Sequence, residues 1–212
     1  MQFYDYFRSS AAYRCRIALN LKGLEPERTF VNLRTGEVRS DWYTKVNPQQ
    51  LVPTLVDSDA TLTQSLAIIE YLDEIHPEPA FMPKDPLGKA RVRGISQTIA
   101  CDIHPLNNLR ILNYLTGELG QSEEAKNQWY VHWVNLGFTA LEAQLAASPD
   151  TGTYCHGDTV TMADICLVPQ VFNARRFNTD MTPYPTIVRI DEALAQLPAV
   201  ADAAPGKQPD AV

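Results

Sequence analysis

Apolar positions along the chain change their spacing at about residue 80, and the two halves predict different architectures. Gln2 to Tyr6 reads as a strand. From Ser10 to Leu21, Ala11, Ala12, Cys15, Ala18 and Leu19 share a small or apolar face, which predicts a helix, and Gly23 supplies its stop. Arg28 to Leu33 alternates and is rich in β-formers, so a second strand follows. Asp41 to Val46 has room for a short helix closed by Asn47-Pro48. Thr54 to Val56 and Thr61 to Thr63 are short strands around Asp57-Ser58-Asp59, a hairpin signal. Ser65 then caps a helix that turns Leu66, Ile68, Ile69 and Leu72 inward and ends at His76-Pro77. This half reads βαβ followed by ββα.

The stretch PEPAFMPKDP carries prolines at 77, 79, 83 and 86 and reads as a linker. Beyond it the pattern is helical. One stretch runs from Gly88 to about Glu118, with a kink expected at His104-Pro105. Further helices are expected over Glu123 to Ala147, Thr161 to Phe177 and Thr186 to Gln196, and the tail DAAPGKQPDAV is expected to be loose. The fold class is therefore α/β plus all-α, with a small mixed domain over residues 1–80 and an all-helical domain over 86–212.

Of the 212 residues, 45% are hydrophobic and 20% charged, as in ordinary globular chains. No apolar run approaches the roughly 20 residues of a membrane span. The N-terminus lacks a basic region followed by an apolar stretch, so no signal peptide is expected. A net charge of -7 argues against a nucleic-acid surface. It leaves an anionic small substrate open, because a pocket can be locally positive. Cys15, Cys101, Cys155 and Cys166 form no CxxC pair and no zinc spacing. They read as reduced thiols of a cytoplasmic protein, and no metal is expected.

Three places carry candidate chemistry. Arg8, Ser9 and Ser10 sit where the first strand meets the first helix. Backbone amides, a hydroxyl and a guanidinium there make a device for an anion or thiolate, or else a serine simply caps the helix. Gln64-Ser65 is a second helix start, suited to a carboxylate. Val52-Pro53 precedes a strand; with a cis bond its backbone would face outward, open to an extended peptide ligand. Thr161 and Asp164 in TMAD read as folding chemistry, a capping box.

Together these residues resemble the glutathione transferase pattern over nearly the whole chain. The box GDTVTMAD at 157–164 is part of that likeness, and YFRSS at 6–10, RIAL at 16–19, QSLAIIEYL at 64–72, MADICLVPQV at 162–171 and NARRF at 173–177 are similar to the zeta class. The resemblance implies a thioredoxin-like first domain, a helical second domain and a homodimer. It also implies a glutathione-dependent cis–trans isomerase of maleylpyruvate or maleylacetoacetate, and the chain tilts toward maleylpyruvate. Two departures stand out. Ala11 stands where the class usually has cysteine, so no cysteine nucleophile exists there. Arg110 stands where a small polar residue is expected in the maleylacetoacetate enzymes, which favours stronger carboxylate binding.

By resemblance, glutathione pairs with the Val52 backbone, and Gln64 and Ser65 hold its γ-glutamyl carboxylate. Gln49 reaches the glycyl end. Asp102, with His104 near it, serves the γ-glutamyl amino group across the dimer. Ser9 or Ser10 donates to the sulfur. Reversible thiolate addition turns the double bond of the dicarboxylate substrate into a rotatable single bond. Arg8, Arg110 and Arg176 are the candidates to hold carboxylates and developing charge; Arg175 should face away, since helix neighbours point roughly 100° apart. A conjugating transferase and a non-catalytic binding module are the rival readings. A glutaredoxin-like reductase is disfavoured because residues 7 to 14 hold no cysteine.

Overall fold

The computed structural model describes residues 1–211. The chain forms two compact units. The first combines Met1–Phe81 with the segment from Ala195 onward, and the second is Met82–Leu194.

In the first unit, β1 (Gln2–Asp5), β2 (Glu27–Phe30), β3 (Thr54–Asp57) and β4 (Ala60–Thr63) form one sheet in the order β2-β1-β3-β4. β1 is parallel to β2 and antiparallel to β3, and β3 is antiparallel to β4. The parallel pair needs a long crossover, which α1 (Ser10–Leu21) supplies. α2 (Asp41–Val46) precedes β3, and α3 (Ser65–Ile75) packs against α1. Two strands end earlier than their alternation suggests. The Asp5 side chain takes the Tyr6 N–H (2.7 Å), ending β1. Asn32 Oδ1 accepts from the amides of Arg34 and Thr35, an Asx-type turn that ends β2 before Leu33.

Asp5 is fully buried and binds Arg16, itself 3% exposed, with Nη1 donating at 2.8 Å. Arg28 completes the pairing. Arg16 also donates to the carbonyls of Phe7 (3.0 Å) and Ala203 (2.9 Å). Burial pulls its pKa down, and Asp5 opposes this. One guanidinium thus fixes the end of β1, the turn into α1 and the returning C-terminal segment. That segment holds α9 (Pro198–Ala201), and beyond it residues 202–211, expected to be loose, are tied down by hydrogen bonds. Asp210 accepts the Phe7 N–H (3.0 Å), and Gln208, buried, binds Arg28 and the carbonyls of Asp202 and Ala204. Sequence pattern missed this because the partners lie on α1, β2 and the turn after β1. Val212, part of the expected tail, lies outside the described residues.

In the second unit the expected kinked helix is divided. α4 (Pro86–Gln97) starts at an Asp85 cap and passes into a wider-wound stretch, Thr98–Ile103, where the His104 N–H reaches the Ile99 carbonyl (3.0 Å). Pro105 opens a short tight turn, Pro105–Asn107. Asn108 is extended (φ -66, ψ 147), and its side chain accepts the Arg110 N–H (3.1 Å), starting α5 (Leu109–Gly117) afresh. A proline lacking its N–H would only kink a helix; the added cap at Asn108 makes a restart. α6 (Glu123–Ala147), α7 (Met162–Arg176) and α8 (Pro185–Ala195) complete the unit.

α7 is buried along almost its whole length. Asp164, fully buried, accepts from the Thr161 N–H (2.7 Å), the Thr161 hydroxyl (2.8 Å) and the Cys155 N–H (2.8 Å). These bonds counter the rise in pKa that burial imposes. Among the described residues, no helix is long and apolar enough to cross a membrane.

Removing one partner of a buried ion pair leaves an uncompensated charge. Asp5→Ala is therefore expected to destabilise the protein by about 3–5 kcal/mol, read as a lowered midpoint in urea unfolding.

Candidate active site

The turn Phe7–Ser10 is fixed from behind by Arg16 and from within by the Ser9 N–H, which donates to the Tyr6 carbonyl (2.9 Å). Ser9 is the N-cap of α1; its Oγ accepts the Ala12 N–H (3.2 Å). Accepting leaves the Ser9 hydroxyl proton free to donate elsewhere. Ser10, the first residue of α1, is buried. Arg8 is exposed, with its guanidinium 5.0 Å from the centre of the Phe7 ring.

The loop before β3 is pinned by α2 and the residue after it. The Leu51 carbonyl accepts from the Tyr43 hydroxyl (2.6 Å) and from Asn47 Nδ2 (2.9 Å). Both also engage the Thr54 hydroxyl. Burial pushes the Tyr43 phenol up, keeping it protonated. Val52 follows, and the Val52–Pro53 bond is cis. Among the described residues no hydrogen bond occupies the Val52 N–H or carbonyl. Its side chain joins the apolar cluster of Tyr4, Tyr6, Phe7 and Tyr43, so this loop and the turn before α1 share one buried support.

Gln64, at the start of α3, has φ 70 and ψ 117 and makes no side-chain cap. A non-glycine residue held there costs about 1–3 kcal/mol, which the surroundings must offset. Gln64 Nε2 donates to Gln49 Oε1 (3.4 Å), so these two expected residues meet. Ser65, buried, opens α3, and its Oγ accepts from Arg14 Nη1 (3.2 Å).

The second unit carries the other candidates. Asp102 lies exposed on the wide-wound stretch. His104 ends it, with Nε2 3.4 Å from Asn108 Nδ2; Asn108 in turn caps α5, where Arg110 is exposed. Arg176 ends α7, its guanidinium bonded to the Tyr130 hydroxyl and 4.8 Å from the centre of the Phe177 ring. Tyr130 is buried and stacks on Phe177, ring centres 3.6 Å apart. Burial drives the Tyr130 phenol well up, and Arg176 only partly pulls it back. Arg175 instead pairs with Asp191.

Four residues escaped the reading of the sequence. Tyr43 and Asn47 anchor the Val52 loop, Tyr130 holds Arg176, and Arg14 lies under Ser65. None left a mark in apolar spacing; Arg14 stands on a helix where Ala12 to Leu19 are all buried, which only the structure shows.

A family model described as the glutathione S-transferase N-terminal domain matches residues 1–74, and one described as its C-terminal domain matches 136–203. The chain is 50% identical over 210 residues to a probable maleylacetoacetate isomerase of Vibrio cholerae serotype O1, covering 98% of this chain and 97% of that one. The holo structure of maleyl pyruvate isomerase, described as a bacterial zeta-class glutathione S-transferase, matches with a TM-score of 0.98 and 48% identity over the full length of both chains. A maleylacetoacetate isomerase from Methylobacterium extorquens AM1, solved with bound malonate and glutathione, matches both full lengths with a TM-score of 0.97 and 39% identity. Carrying both domain models and this full-length likeness, the chain belongs to the zeta class of the glutathione S-transferase family.

Proposed function

We propose that this chain is a glutathione-dependent cis–trans isomerase that converts maleylpyruvate to fumarylpyruvate in the breakdown of gentisate-type aromatic acids. The observation that carries the reading is the full-length match, TM-score 0.98 and 48% identity, to a maleyl pyruvate isomerase. Maleylacetoacetate is the second reading for the substrate, favoured by the name of the Vibrio relative. A homodimer in the cytoplasm is part of the proposal.

The first unit's residues fit glutathione. Val52 offers a backbone N–H and carbonyl to an extended peptide, and Ser65 offers a hydroxyl at a helix N-terminus to a carboxylate. Gln64 shares the carboxylate, and Gln49, bonded to Gln64, takes the glycyl end. Asp102 and His104 are assigned to glutathione on the second copy.

When bound, glutathione supplies a sulfur nucleophile that adds to the cis double bond, leaves a rotatable single bond and departs unchanged. A free thiol has a pKa of about 8.5, so the chain must favour the anion. Ser9 donates its hydroxyl proton toward the sulfur while its oxygen keeps the Ala12 N–H, with Ser10 as the alternate donor. The α1 N-terminus and Arg8 add positive charge at that end. Arg176, its fork positioned by Tyr130, binds one substrate carboxylate; Arg110 and Arg8 hold the second and the charge developing on the ketone oxygen.

An NMR time course of maleylpyruvate with enzyme is expected to show trans product only when glutathione is added, with glutathione unconsumed. One-for-one consumption would instead make it a conjugating transferase. Turnover of maleylacetoacetate but not maleylpyruvate would reverse the substrate choice.

Ser9→Ala and Ser9→Gly should lower the thiolate absorbance of bound glutathione alike. Stability should separate them: alanine loses about 1 kcal/mol of capping, glycine only a few tenths. An unchanged absorbance in both removes Ser9 from the sulfur. Arg176→Ala should raise the substrate KM by about tenfold or more while the glutathione KM moves less than about twofold. Equal losses for both would end its assignment.

A further inference from the structure

Trp129 and Tyr130 are neighbours on α6, so their side chains leave it roughly 100° apart. Each leads to one of the arginines assigned above to the substrate. Trp129 Nε1 donates to the Leu106 carbonyl (2.8 Å) in the tight turn Pro105–Asn107. Asn107, buried, returns the contact: its Nδ2 donates to the Tyr130 carbonyl (3.2 Å). The next residue, Asn108, caps α5 by accepting the Arg110 N–H. Of the residues of α5, Leu112 and Leu115 are buried, so this helix takes its direction largely from the turn that starts it. On the other side, the Tyr130 hydroxyl bonds the Arg176 guanidinium, and its ring stacks on Phe177. One turn of α6 therefore anchors both the start of the helix that carries Arg110 and the fork of Arg176.

We propose that Trp129 and Asn107 are positioning residues: with Tyr130 they make this turn of α6 a gauge for the spacing of Arg110 and Arg176, and so for the length of the dicarboxylate. The inference rests on the isomerase reading above. Maleylacetoacetate carries the same cis double bond and neighbouring ketone as maleylpyruvate, and is one methylene longer between its carboxylates. The reacting ends are alike, so discrimination falls to the groups that hold the two carboxylates. An arginine fork binds a carboxylate directionally, and a fork out of register loses one of its two bonds. Positions 129 and 130 are fixed to each other by the helix itself, so the two anchors cannot drift apart. Freeing the turn at Leu106 would let Arg110 follow the longer substrate.

The test is kcat/KM for both dicarboxylates at saturating glutathione. Wild type should favour maleylpyruvate by about tenfold or more, the usual worth of one methylene in a fitted site. Trp129→Phe keeps a ring and removes the N–H. It should cut the preference to about threefold or less, chiefly through a raised KM for maleylpyruvate, while the glutathione KM moves less than about twofold. Asn107→Leu should act alike. It removes the donor to Tyr130 together with Oδ1, an acceptor already buried with no partner, so no new orphaned group is left on residue 107. Where Trp129→Phe fails to fold by circular dichroism, Asn107→Leu carries the test. A merely structural defect lowers both dicarboxylates by one factor, so equal losses, or a preference retained in full, would overturn the proposal. A wild type that turns over both equally would overturn the gauge and leave the isomerase standing; one that turns over neither would sink the isomerase reading itself.

Discussion

The carboxylate of Asp5 and the guanidinium of Arg16 meet in the dry interior at the end of β1, and the geometry of the first unit follows from that contact. Asp5 ends the strand by taking the next amide. Arg16 reaches back from α1 to hold the carbonyls of Tyr6 and Phe7, where the turn begins, and that of Ala203. The turn is thereby set before any ligand arrives. Ser9 then occupies the N-cap, and its hydroxyl proton points wherever the turn directs it. A pair of this kind is weak evidence for stability, since well-packed apolar residues can replace it at little loss. Its value here is positional: few apolar side chains could hold a strand end, a turn and a distant segment at once.

Helix starts serve twice in this unit. Ser9 spends its oxygen on the α1 amides and keeps its proton. Ser65 spends its oxygen on Arg14 and likewise keeps its proton. In both places the bond that orders the serine fixes which half of the hydroxyl remains for an incoming negative charge.

The order of strands and helices was legible because period-two and period-three-to-four spacing reflects local burial. So were Ser9, Val52, Gln64 and Ser65, which sit at element boundaries where turn and cap chemistry leaves marks. Elsewhere distant partners decided the outcome. Gly137 on α6 has no side chain, and a Cβ there would lie 2.3 Å from Ile103 Cδ1. That close seat fits the wide-wound stretch bearing Asp102, and nothing near residue 103 foretells it. Tyr130 supports Arg176 from 46 positions away, beyond any periodic pattern. Arg14 was hidden for another reason: hydrophobic spacing treats every arginine as a solvent-facing residue.

The returning C-terminal segment has a consequence in time. Phe7 and Asp210 are 203 positions apart in the chain, yet one carries the amide and the other the carboxylate of a single bond. At about 5–20 residues per second, a ribosome needs roughly 10–40 s to deliver the second after the first. Through that interval the nascent sheet must persist without Ala203, Gln208 and Asp210, so the site-bearing turn is completed only after the helical unit has been synthesised.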